Sequence, residues 1–139
     1  MFTLDPAFLA TSEPLATLAL CEARLQRDAR FPWLVLIPRV ADAVELEDLT
    51  PADRARLMDE VLAAGKAVRA IGQALGAPVK RLNIGQLGNV TRQLHVHIVG
   101  RRADDPCWPG PVWGQGVAAP YAPADLERAM AAALAGLQR

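Results

Sequence analysis

Across residues 15–25 the side chains alternate loosely, with Leu18, Leu20 and Leu25 apolar and Glu22, Arg24 and Gln26 polar. A period of two predicts a strand. Arg27, Asp28, Ala29 and Arg30 then form a polar connection. Residues 31–38 are a short apolar run bounded by prolines, whose length and β-branched content suit a buried strand. These two runs are expected to pair as an antiparallel hairpin. Residues 1–14, broken by Pro6 and Pro14, read as an irregular or partly helical lead-in.

The period changes after residue 50. Thr50 is placed to cap, Pro51 suits a first helical position, and Asp53 falls where a capping-box acid belongs. Leu57, Val61, Leu62, Val68, Ile71 and Leu75 recur at helical spacing until Gly76 and Pro78 end the run. The spacing predicts one long helix of about 24 residues. Two strands follow. Residues 79–86 place Leu82 and Ile84 on one face and Arg81 and Asn83 on the other. Residues 87–92 carry a Gly-Asn turn signal. Residues 93–101 put Leu94, Val96 and Ile98 on one face and Gln93, His95, His97 and Val99 on the other. The Pro- and Gly-rich stretch 104–120 reads as a loop. A last helix over 123–137 carries Leu126, Met130, Ala133, Leu134 and Leu137 on one stripe. Strands separated by one long helix predict an α+β fold with a largely antiparallel sheet.

Composition narrows the chemistry. The 139 residues fit one domain, and the 52% of apolar residues suffice for a core. Fifteen basic and fifteen acidic residues give zero net charge, unlike a dedicated nucleic-acid binder. No basic residue precedes Arg24, and no run approaches the roughly 18 apolar residues of a membrane span, so a cytoplasmic protein is expected. Cys21 and Cys107 match no metal or redox spacing and read as small buried hydrophobes. With two histidines in all, imidazole chemistry rests on His95 and His97.

A single core histidine is ordinarily structural. Two on one strand face, beside a glycine-containing loop, invite a functional reading. A metal site would need further ligands, yet no third histidine exists and Asp104 and Asp105 lie beyond the strand. A serine nucleophile would need an elbow such as Gly-x-Ser-x-Gly, which is absent. What remains is an imidazole acting itself as a nucleophile, with its neighbour helping to bind or protonate the leaving group.

Gln93-Leu94-His95-Val96-His97-Ile98-Val99 resembles the histidine triad (HIT) motif, in which three histidines alternate with apolar residues. The similarity extends through Leu82-Asn83-Ile84-Gly85, Leu87-Gly88-Asn89 and the strand ending Leu36-Ile37-Pro38-Arg39, covering about residues 15–101. The segment 108–114 is similar to bacterial HIT proteins in particular. The resemblance implies a HIT-like α+β domain over residues 1–139, with about five strands, one long helix and a C-terminal helix. It further implies a nucleotide hydrolase or transferase acting on nucleoside phosphoramidates or dinucleoside polyphosphates through a nucleotidyl-histidine intermediate. By position His95 would be the nucleophile, and His97 would contact the phosphate and leaving group. Gln93 stands where the first histidine belongs; an amide offers a donor and an acceptor but carries no proton charge. Leu34 is a second departure, at the place of a strand histidine in many members.

Further expectations follow from the resemblance. Gly88, Asn89 and Thr91 would meet phosphate, although strict spacing from the motif falls on Val90. Asn83 would lie near the nucleotide. Gln26, Arg27 or Asp28 would meet the ribose. Trp108 and Trp113 are expected mainly to pack against a core or interface. The expected partners are a purine nucleotide and a second copy of the chain, with no cofactor, metal, nucleic acid or membrane. The long helix and the tryptophan segment are candidates for the dimer surface. The rival reading is a nucleotide-binding or interaction module with little or no turnover, motivated by Gln93 and Leu34.

Overall fold

The computed structural model describes residues 1–138. The elements are α1 (Pro6–Thr11), β1 (Ser12–Thr17), β2 (Cys21–Gln26), β3 (Trp33–Pro38), α2 (Pro51–Ala74), β4 (Arg81–Gly85), β5 (Val96–Arg101) and α3 (Pro123–Leu137), with a 3-10 turn at Leu46–Asp48. The five strands form one sheet in the order β1-β2-β3-β5-β4. Every adjacent pair is antiparallel. The α+β architecture, the long helix and the C-terminal helix all agree with the pattern of the sequence.

The start of α2 follows from its cap. The Thr50 hydroxyl accepts from Asp53 N at 3.1 Å, and Pro51 occupies the first turn of α2. Helices α2 and α3 cover one face of the sheet. There Ala23, Leu25, Leu34, Leu36, Val96 and Ile98 pack against Leu57, Val61, Val68, Ile71, Ala129 and Ala133. The two helices approach through small residues: a Cβ added at Gly136 would lie 2.6 Å from Ala67 Cα. Leu62, read as part of the buried stripe, is instead exposed.

The opposite face is covered without a long helix. Phe31, Trp33, Val35, Ile37 and Val99 pack there beneath Phe8 of α1 and Val112 of the loop after β5, with Phe2, Leu4 and Trp113 at the margin. Successive residues on β3 and β5 therefore serve two cores. The register sets Val35 opposite His97 and Leu36 opposite Val96.

Two expectations are corrected. The segment 15–25 is not one strand: β1 begins at Ser12, the chain reverses at residues 18–20, and β2 returns from Cys21. That reversal carries no glycine or asparagine. The Leu18 N–H donates to Cys21 O at 2.8 Å, and the Arg39 guanidinium donates to the carbonyls of Leu18 and Ala19. Pro14 is tolerated because β1 is an edge strand whose register shifts between Pro14 and Ala16. The last strand likewise begins at Val96 rather than residue 93, because Leu94 N donates outside the sheet, to Ala43 O at 3.0 Å.

Glu60 joins α2 to this hairpin. Its buried carboxylate accepts from Leu20 N and Cys21 N, each at 2.8 Å. Burial, together with the neighbouring Glu60 charge, drives the Cys21 thiol far above its ordinary range, so it stays protonated. Replacing Glu60 by Ala strands two buried N–H groups and is expected to cost about 2–5 kcal/mol. Urea denaturation measures this, and an unchanged midpoint would contradict the role assigned to Glu60.

Candidate active site

Strand β5 and its approach bring two imidazoles together on the face away from the long helices. The His95 and His97 rings lie 4.9 Å apart, centroid to centroid, at 81°. Phe8 of α1 meets His95 edge-on at 5.0 Å. Trp33 and Trp113 each flank His97 at 5.6 Å. Gly85 pairs with His97 in the sheet, and a side chain there would crowd the Trp113 ring: an added Cβ would lie 3.3 Å from it.

A cavity of about 530 Å3 opens over these rings. Ala7, Phe8, Ala10 and Thr11 of α1 form one wall, and Leu87, Asn89, Val90 and Thr91 form another. Gln26, Val35, His95, His97, Trp113 and Gly114 complete it, so among the described residues no Lys, Arg, Asp or Glu lines the cavity. An anion here is met by neutral donors. The Trp113 Nε1 is buried with no hydrogen-bond partner among the described residues.

The two imidazoles are held in opposite senses. His95 Nδ1 lies 2.7 Å from the Gln93 main-chain carbonyl, which only accepts. The proton therefore sits on Nδ1, and in the neutral ring Nε2 keeps its lone pair. For His97 the arrangement is reversed. The Trp33 indole Nε1–H donates to His97 Nδ1 at 3.0 Å, so the proton of the neutral ring sits on Nε2. Burial, and then the proximity of His95, lowers the His97 pKa from 6.5 to about 4. In their neutral forms one ring offers a lone pair and the other an N–H.

The HIT domain family model matches residues 10–104. The chain belongs to the HIT domain family. That family includes nucleotide hydrolases and transferases. A histidine triad (HIT) protein of Sinorhizobium meliloti is 42% identical, with a TM-score of 0.88, over 98% of this chain and 97% of that one. A histidine triad protein of Bradyrhizobium japonicum is 33% identical, with a TM-score of 0.91, over 98% of both chains. One from Marinobacter aquaeolei is 32% identical, with a TM-score of 0.89, over 99% of this chain and 97% of that one. No curated protein was found to match.

Within this HIT domain the expected site residues separate. His95, His97, Asn89, Thr91 and Gln26 line one cavity. Arg27 and Asp28 do not. Arg27 pairs with Glu13 at 2.9 Å, and the buried Asp28 carboxylate binds Arg30 and the Ala119 N–H. Strand alternation explains the split, since Gln26 is the last β2 residue on the histidine face. Asn83 turns elsewhere: its Oδ1 accepts from Arg101 Nη1 at 2.8 Å. Gly88 is not part of the lining, and it has an ordinary φ and no contact that a Cβ would crowd below 3.4 Å. Gln93, expected in the polar row, leaves the cavity and hydrogen-bonds the N-terminal segment.

Leu34 is fully buried against the long helices, so it gives the site no support and removes none. Its neighbour Trp33 is the β3 residue that touches His97. Trp33 was not among the expected site residues: β3 is apolar and buried on both faces, so its pattern does not distinguish Trp33 from Leu34. Phe8 was not among them either, and Trp113, expected mainly to pack, lines the cavity. Trp108 lies outside the cavity and is 39% exposed, with its ring 5.7 Å from the Arg101 guanidinium carbon.

The loop bearing Trp113 is anchored by a buried ion pair. Arg101 donates to both Asp105 oxygens, at 2.7 and 3.0 Å. Burial would raise the Asp105 carboxyl, but Arg101 and the N–H groups of Arg102 and Cys107 outweigh it and hold the pKa at about 2.

These shifts set the response to acid. A depressed imidazole pKa means the unfolded chain takes up the proton first, so stability is full above pH 6.5 and is lost as pH falls towards about 4. The slope is about 1.4 kcal/mol per pH unit at most. The Asp105 contribution, present above pH 3.8, is lost later, towards about pH 2. Urea midpoints measured through the upper window should decline in the wild type and decline less in His97→Gln. Equal slopes would contradict a buried neutral His97.

Proposed function

We propose that this HIT protein is a nucleotide hydrolase or transferase that cleaves nucleoside phosphoramidates or dinucleoside polyphosphates through a nucleotidyl intermediate on His95. The observation carrying this reading is the opposite tethering of the two imidazoles. An imidazole held as a donor at Nδ1 presents Nε2 as a nucleophile. In the proposed reaction Nε2 attacks the α-phosphorus and the bond to the leaving group breaks. Water then cleaves the phosphorus–nitrogen bond and releases a nucleoside monophosphate. His97, neutral near pH 7, contributes an Nε2–H hydrogen bond to the phosphoryl or leaving atom as charge develops there. Asn89 and Thr91 supply further neutral donors, and Gln26 is the residue we assign to the ribose. No cofactor or metal is part of the proposal, and we assign it to the cytoplasm.

A second reading, a nucleotide-binding module with little turnover, is favoured by one observation. The Gln93 amide is committed to the N-terminal segment, leaving two imidazoles where the triad has three. One assay separates the two. Adenosine phosphoramidate and diadenosine polyphosphates should yield AMP with the wild type. His95→Ala should lower the rate by at least about a thousandfold, each factor of ten being about 1.4 kcal/mol of barrier. AMP binding without AMP release in the wild type would favour the binding module, and undiminished turnover in His95→Ala would refute the mechanism.

We also propose a homodimer. Met58 and Leu62 are 58% and 61% exposed and lie on one stripe of α2. One turn on, Gly65 packs on Leu82 of edge strand β4, where Ile84 is 50% exposed on the same strand face. Such a patch beside an unpaired strand edge suits a second copy. Sedimentation equilibrium should give a dimer for the wild type and a shift towards monomer for Leu62→Glu. A wild-type monomer would contradict this surface.

A further inference from the structure

Gln93 occupies the first triad position, yet its amide points away from the imidazoles. Its Oε1 accepts from Asp5 N at 2.8 Å and its Nε2 donates to Thr3 O at 2.8 Å. Those two backbone groups flank Leu4. The amide thus does for residue 4 what one residue of a neighbouring strand does in a parallel ladder, accepting and donating together. An imidazole cannot copy this, because its two nitrogens diverge across a rigid ring.

The consequence lies one turn further on. Asp5 caps α1, its side chain accepting from Ala7 N at 2.9 Å. At the other end, Ser12 donates to Phe8 O and accepts from buried Arg24. Helix α1 has only six residues and would not persist in isolation. Fastened at both ends, it presents Phe8 to the His95 ring. The Gln93 main-chain carbonyl meanwhile holds Nδ1 of that same ring.

We infer that Gln93 is a positioning residue: its side chain clamps residues 3–5 and so holds α1 as a wall of the nucleotide cavity. The position has exchanged a place in the chemistry for control of that wall. The inference rests on the nucleotide reading for the ligand, but the clamp itself is measurable without one.

Two readouts test it on the full chain. Amide hydrogen exchange at Asp5, followed by NMR without ligand, should speed up about tenfold or more in Gln93→Ala, about 1.4 kcal/mol. AMP affinity, measured by calorimetry, should fall about tenfold in the same variant. A Gln93→Glu variant guards against a general loss of structure. Its ionised carboxylate cannot donate to Thr3 O, whereas its protonated form can both donate and accept. Acidification should therefore restore Asp5 protection relative to wild type at the same pH. Asp5, Asp42, Arg92 and the Met1 ammonium, the charged groups lining this recess among the described residues, are common to both proteins, so the comparison cancels them. Gln93→His should not raise turnover. Unchanged Asp5 exchange in Gln93→Ala, or faster turnover in Gln93→His, would overturn the clamp. Failure of AMP to bind the wild type would overturn the nucleotide reading while Asp5 exchange still decides the clamp.

Discussion

The Trp33 indole donates a hydrogen bond to Nδ1 of His97, while the Gln93 carbonyl accepts one from Nδ1 of His95. Most of the site depends on that difference. With the same partner type, two rings 4.9 Å apart would present the same nitrogen and do the same thing. With opposite partners they differ in role without differing in residue type. The division requires that β3 and β5 stay in register, since Trp33 reaches His97 only because Val35 sits opposite it. It also requires a dry setting, because burial keeps His97 neutral and so preserves its acceptor nitrogen for Trp33.

The rest of the fold holds that register from both sides. Behind the sheet, Leu34, Leu36, Val96 and Ile98 are locked against α2 and α3, leaving the strands little freedom to slip. In front, α1 and the loop after β5 supply Phe8 and Trp113, and each depends on polar anchors rather than on a large apolar face. Gln93 and Ser12 hold α1, and the Arg101–Asp105 pair holds the loop. The side of the sheet with more buried area positions the imidazoles, and the lighter side shapes the cavity. Ligand-facing segments are commonly the less stable ones.

The legible parts of the sequence were those governed by local periodicity. The caps and spacing of α2 stand in consecutive residues, and the alternation around His95 and His97 places both on one face. The reversal at residues 18–20 was illegible because its carbonyls are satisfied by Arg39, about twenty residues away, rather than by a turn residue. On β3 both faces are apolar, so nothing in the pattern said that Trp33, and not Leu34, faces the histidines. Gln93 and Asn83 were drawn away by partners at residues 3, 5 and 101, contacts that spacing within a motif does not encode. Among Gln26, Arg27 and Asp28, strand parity excludes Arg27 and the end of β2 at Gln26 excludes Asp28.

The central claim is that phosphorus passes through His95 rather than directly to water. The most direct measurement is the stereochemical course at phosphorus, using a substrate made chiral there with sulfur and oxygen isotopes. Two successive in-line displacements, first by imidazole and then by water, predict net retention of configuration. Net inversion would show a single displacement by water and would contradict the account.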